Sequence, residues 1–116
     1  MHTRAQAKWI RMSPLKVRRV MNVVRGKKAG EAYTMLKFMP HAAAREIEKV
    51  LWSAMHNLIN HAENPVDEKE VADYRISKIF ADQGPTLKRI QPHARGRAFP
   101  IKKKITHITI ELDDLQ

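Results

Sequence analysis

Six histidines, His2, His41, His56, His61, His93 and His107, are the side chains best suited to hold a metal or move a proton near neutral pH. Helical zinc pairs sit four residues apart on one face. His56 and His61 share one periodic stretch but are five apart, a turn of about 140° around a helix axis. Glu46 and Glu48 lie two apart and diverge as well. No phosphate-binding glycine loop, nucleophile elbow or dinucleotide glycine set occurs. The chain has no cysteine, which removes disulfides, thiolate chemistry and zinc ribbons. The histidines are expected to be surface or partly packed residues, with no metal and no cofactor. Nothing here nominates an enzyme.

The chemistry that remains is charge. Twenty-two Lys and Arg against twelve Asp and Glu give a net charge of +10 over 116 residues, which points to a polyanionic partner. Residues 1–30 carry nine cations and no acid, and 83–110 carry seven cations and no acid. Between them, 31–82 carry six cations and nine acids. A protein that is basic only for solubility does not need such segregation. A membrane surface is disfavoured, because the basic stretch 13–26 lacks large aromatic anchors on its apolar stripe. No run approaches the roughly 20 apolar residues of a membrane span, and "MHTRAQAKWIRMSP" lacks the apolar core of a secretory signal. A soluble, intracellular protein is expected.

Regular elements must position these cations. "AQAKWIRM" alternates, with Ala5, Ala7 and Trp9 on one side and Gln6, Lys8 and Ile10 on the other, and predicts a strand. Ser13 and Pro14 form a helix start. Val17, Val20, Met21 and Val24 then make one apolar stripe, and Gly26 can close the helix in a left-handed conformation. Arg18, Arg19 and Arg25 project from its other sides, and Lys27 and Lys28 follow its end. With no acid within the first thirty residues to pair with, these side chains are expected at phosphates.

"GEAYTMLKFMP" predicts a short helix stopped at Pro40. A long core helix follows, with Ala43, Ile47, Val50, Leu51, Ala54, Leu58, Ile59 and Ala62 at helical spacing, ended by Asn64-Pro65. "VDEKEVAD" is a charged connector, and "YRISKIFAD" is a strand candidate. "ITHITIELDD" is a stronger one, with Ile108, Ile110 and Leu112 facing one way and His107, Thr109 and Glu111 the other.

These two strands bracket "DQGPTLKRIQPHARGRAFPIKKK", residues 82–104, in which seven cations follow a single acid. Antiparallel pairing of the flanks turns this segment into a hairpin reaching about 25–30 Å beyond the body. Gly84 and Gly96 permit close approach of a partner, and Pro85, Pro92 and Pro100 restrict the unbound chain. A long acid-free arm repels itself and has little to bury, so a partner that envelops it is expected. Folded RNA offers an irregular anionic crevice suited to both basic regions. The alternative is a DNA-binding regulator with Ser13–Gly26 as recognition helix. It leaves the arm unexplained, and no DNA partner is expected.

The residues also resemble a known family. "IRMSPLKVRRVMNVVRGKKAGEAYTMLKFMP" resembles the N-terminal half of ribosomal protein L twenty-two of the large subunit. "FADQGPTLKRIQPHARGRAFPIKKKITHITIEL" is similar to that family's hairpin and closing strand, most specifically in "GPTLKRIQPHARGRA" and "THITI". Gln83 stands where the family commonly has Glu, and His93 where it commonly has Arg. The connector in "NLINHAENPVDEKEV" is somewhat longer.

The resemblance implies an α+β fold, a small antiparallel sheet packed on three helices with a long extended β-hairpin arm. One domain is expected, with 1–82 and 101–116 as the globular part and 83–100 as the hairpin tip. It further implies a structural role in the large subunit near the polypeptide exit, in the cytoplasmic ribosome or an organellar one. The partners implied are large-subunit rRNA, neighbouring large-subunit ribosomal proteins and the nascent polypeptide in the tunnel. The cations expected at rRNA are Lys8, Arg11, Lys16, Arg18, Arg19, Arg25, Lys27, Lys28, Lys88, Arg89, Arg95, Arg97, Lys102, Lys103 and Lys104. The tip lining the tunnel comprises Leu87, Lys88, Arg89, Ile90, Gln91, Pro92, His93, Ala94, Arg95 and Gly96. Within it, Leu87, Lys88 and Arg89 match a stretch linked to macrolide resistance.

Overall fold

The computed structural model describes residues 2–61, 63–92 and 94–114. Ala62, expected as the last apolar position of the long helix, and His93 at the hairpin tip lie outside the described residues. The elements follow in the order β1 (His2–Ile10), α1 (Pro14–Val24), α2 (Ala29–Phe38), α3 (Ala42–Ile59), α4 (Glu68–Val71), β2 (Arg75–Gln83), β3 (Leu87–Pro92), β4 (Ala98–Lys103) and β5 (Thr106–Asp113). The fold is α+β. A three-stranded antiparallel sheet of order β1-β5-β2 packs on the helices, and β3-β4 form a separate two-stranded antiparallel ladder. Within the charged connector, Glu68–Val71 makes one helical turn that buries Val71.

The apolar stripe of α1 enters the core as its spacing predicts, with Val17, Val20, Met21 and Val24 fully buried. Pro14 opens the helix and Ser13 occupies the N-cap position, yet its hydroxyl makes no capping bond. Gly26 adopts φ 78° just past the helix end, a left-handed conformation that costs glycine little. The chain then returns onto the start of β2, where Ala29 N donates to Tyr74 O at 2.6 Å and Gly30 N to Ala72 O at 3.1 Å. Backbone carbonyls thus satisfy the first N–H groups of α2 in place of a side-chain cap.

Helix α3 is the centre of the core. Ile47, Leu51, Ala54 and Leu58 are fully buried, and the helix packs against α1, α2, β1 and β5. Each large aliphatic side chain so buried contributes about 1.5–3 kcal/mol relative to exposure. Strand β5 lies between two neighbours, so Ile108, Ile110 and Leu112 are buried on its helix side. Thr109, expected to face outward, is also buried: its cross-strand neighbours Gln6 and Phe80 cover it, and Gln6 Nε2 donates to its hydroxyl at 3.2 Å.

The predicted alternation of β1 holds through Ala7 and then breaks. Lys8 and Trp9 form a bulge opposite β5, with Trp9 at φ 65° and its ring 61% exposed. Trp9 therefore does not share a face with Ala5 and Ala7. Its backbone N–H donates to His107 Nδ1 at 3.1 Å, and the two rings meet edge to face at 5.1 Å.

Candidate nucleic-acid interface

The ladder of β2 and β5 runs from Arg75↔Asp113 to Gln83↔Thr106, and that of β3 and β4 begins at Leu87↔Lys103. Three residues, 84–86, therefore face two, 104 and 105, and one extra residue separates arm from body. Gly84 N still donates to Ile105 O at 2.7 Å, which ties the arm's root to the sheet. Gly84 had been expected to admit an outside partner. The close approach is instead internal, since a Cβ there would lie 2.9 Å from His107 Nε2.

Beyond the root the arm has no core. Lys88, Arg89, Ile90, Gln91 and Pro92 are exposed, as are Arg95, Arg97, Lys102 and Lys103, while Leu87 and Ile101 are half-buried. Arg95 at φ 65° and Gly96 at φ 70° turn the chain at the tip. The body and arm together extend 63 Å by 27 Å by 18 Å. The radius of gyration is 17.3 Å, against about 13 Å for a compact chain of this length.

Cross-strand register sets the arm's electrostatics. Lys88 stands directly opposite Lys102, and like charges so placed destabilise a strand pair. Arg89 pairs with Ile101 and Leu87 with Lys103, so both faces of the hairpin carry cations. No acid lies on β3, the tip turn or β4.

A second concentration of charge forms where the arm leaves the body. A cleft of about 650 Å³ is lined by Arg11, Lys16 and Arg19 on one side and by Lys102, Lys103 and Lys104 on the other, with Ser13 and His41 between. No acid lines it, and among the described residues none of these six cations has an ion-pair partner. The six belong to the expected set, whereas His41 and Ser13 were missed. Each precedes a helix start, but nothing in the sequence says that those two starts are neighbours.

Other expected cations have internal partners. Arg18 Nε and Nη2 both donate to Ala81 O, at 3.2 and 2.7 Å, and Arg25 Nη2 donates to Ile79 O at 2.9 Å. Seven residues apart, they lie on one stripe of α1 and cover the outer carbonyls of β2, an edge strand that would otherwise present free acceptors. Lys27 meets Glu31 at 3.9 Å, and Lys28 meets Asp73 at 4.0 Å. Of these contacts, Lys27–Glu31 is local, whereas the others bring β2 carbonyls and Asp73, distant in sequence, back to α1 and the residues after it. The recognition-helix alternative loses ground for the same reason. With one face in the core and another clamped to β2, α1 has only Lys16, Arg19 and their neighbours left to offer a groove.

Three of the histidines serve local structure: His107 accepts from Trp9, His61 Nδ1 accepts from Asn64 N at 3.1 Å, and the His56 ring meets that of Trp52 at a tilt of 39°. His56 and His61 thus point to different partners, as their spacing predicts.

Comparison with known proteins decides the family. The model of the family "Ribosomal protein L22p/L17e" matches residues 5–113. The chain belongs to this ribosomal-protein family. It is 48% identical to the large ribosomal subunit protein uL22 of Synechococcus sp. (strain JA-3-3Ab), over 97% of this chain and 88% of that one. It is 46% identical to uL22 of Roseiflexus sp. (strain RS-1), over 98% and 96% of the two chains. With uL22 of Clostridium kluyveri the identity is 50%, over 95% of each. All three relatives are named as ribosomal components and none as an enzyme.

Proposed function

We propose that the chain is a non-catalytic structural constituent of the large ribosomal subunit, in the cytoplasmic ribosome, that binds large-subunit rRNA and assists its assembly. The observation that carries this reading is the acid-free cleft at the arm's root together with the Lys88–Lys102 pair on the arm. Both gather positive charge that the fold leaves uncompensated. Phosphates entering the cleft bridge Arg11, Lys16 and Arg19 of the body to Lys102–Lys104 of the arm, and so fix the arm's direction. Arginine forks onto phosphate while lysine acts as a point charge, which suits a backbone of varied geometry. The arm, with Leu87–Gly96 toward its tip, extends between rRNA segments into the wall of the polypeptide exit tunnel, where the nascent chain passes. Neighbouring large-subunit proteins complete its surroundings.

Binding of this kind releases counterions, so affinity falls steeply with salt. Replacing Lys102, Lys103 and Lys104 together by Ala reduces the slope of log affinity against log salt by about 3, near one unit per phosphate contact. Filter binding of the full chain to large-subunit rRNA across a salt series measures this. The combined variant Lys88→Ala, Arg89→Ala, Arg95→Ala and Arg97→Ala weakens entry into subunits while leaving the isolated fold intact. Normal entry of that variant at raised salt, with an unchanged slope for the lysine variant, rules out the arm as an RNA anchor.

A further inference from the structure

The face of the molecule formed by α2, α3 and α4 differs from the basic one in both charge and chemistry. Residues 31–73 carry eight acids and four cations within a chain of net charge +10. Two of those cations sit in short internal pairs: Arg45 with Glu48 at 2.7 Å, and Lys49 with Glu46 at 3.9 Å. Arg45 also donates to Leu36 O and Met39 O at the end of α2. Glu63, Asp67, Glu68 and Glu70 are exposed and have no ion-pair partner among the described residues. The Tyr74 phenol is held above its ordinary value, first by burial and then by Asp114 and Asp113 at the end of β5 and Glu70 of this face.

Within this acidic surround lies an aromatic ridge. Trp52 on α3 is 51% exposed, although it sits on the helix that forms the core, and its ring centroid lies 3.8 Å from that of His56, with the planes tilted by 39°. Tyr33 of α2 stands beside it, and the two separate a pair of shallow grooves. One, of about 300 Å³, is lined by the Arg45–Glu48 pair and by Lys49; the other, of about 260 Å³, is lined by Met55, His56, Ile59 and Val71, with Glu68 as its one acid. On the side of the second groove Trp52 is poorly placed for RNA, because a phosphate brought there also approaches the unpaired Glu68 and the exposed acids Asp67 and Glu70 next to it at α4.

We infer that this ridge is a protein-docking site, which takes an arginine- or lysine-bearing segment of a second polypeptide, with the cationic side chain laid over Trp52. The fit is one of charge complementarity. A guanidinium over an indole face is attracted by the ring, its aliphatic stem covers the apolar floor, and Glu68 accepts its hydrogen bonds. Trp and Tyr are also the side chains that anchor protein interfaces most often. The assignment rests on the ribosomal reading, because the second polypeptide must be held nearby, but it uses the opposite charge and none of the cleft residues.

The test places a photoreactive benzoylphenylalanine at position 33 of the full chain, beside an intact Trp52, in cells where it supplies large subunits. Co-sedimentation of the unsubstituted chain with large subunits tests the ribosomal reading by itself. Irradiation of the purified subunits is expected to give an adduct whose peptide is rich in Lys and Arg and comes from another protein. Glu68→Lys combined with Glu70→Lys is expected to lower the adduct yield at least fivefold without loss of the chain from the particle. An adduct with RNA alone, an adduct with an acidic peptide, or a yield unchanged by charge reversal overturns the inference. So does the absence of any adduct in particles that contain the chain.

Discussion

The body and the arm of this protein are built from one antiparallel pairing, yet they hold together for different reasons. In the body, β2 and β5 meet with Ile79 opposite Ile110, and both side chains enter the core beneath the helices. In the arm, β3 and β4 meet with Ile90 opposite Pro100, and Ile90 stays 75% exposed. Two-stranded hairpins without a buried face are marginal in water, and this one also sets Lys88 against Lys102. The difference teaches that the arm's order is conditional: the body is stabilised by what it buries and the arm by what it meets.

The sharpest break of that comparison is between two isoleucines. Ile108→Ala on β5, fully buried, is expected to lose about 2–5 kcal/mol of folding stability. Ile90→Ala on the arm is expected to change it by less than about 0.5 kcal/mol. Urea unfolding of the isolated chain reads both, and equal losses remove the distinction. A smaller effect separates structural arginines from binding ones. Arg18→Ala or Arg25→Ala removes bonds to β2 carbonyls and is expected to cost about 1–2 kcal/mol, given the partial exposure of these charge-assisted bonds. Arg19→Ala is expected to leave stability unchanged while weakening RNA binding, as its place in the cleft requires. Stability losses of the same size in all three would assign Arg19 to the fold rather than to RNA.

Much of this division was legible in the sequence, because periodicity reports burial directly. The stripe of α1, the buried face of α3 and the inward Ile108, Ile110 and Leu112 of β5 appear where the residue spacing places them. The arm was legible from its missing acids and from the two strand patterns that flank it. The candidate site was only partly legible. Its cations could be named, but Arg18 differs from Arg19 only by the 100° that separates neighbours on a helix. Which of them meets β2 depends on tertiary packing that no local pattern encodes. The bulge at Trp9 and the contact of Gly84 with His107 were hidden for the same reason, since both depend on residues about a hundred and about twenty positions away.

The central claim, an arm ordered by RNA rather than by the fold, is tested most directly by amide hydrogen exchange over residues 87–103, with Thr106–Asp113 as internal reference. In the free chain the arm amides are predicted to exchange almost without protection while those of β5 stay protected. In purified large subunits containing the chain, the arm amides are predicted to become protected as well. An arm as protected as β5 in the free chain, or one that still exchanges freely inside the particle, contradicts the account.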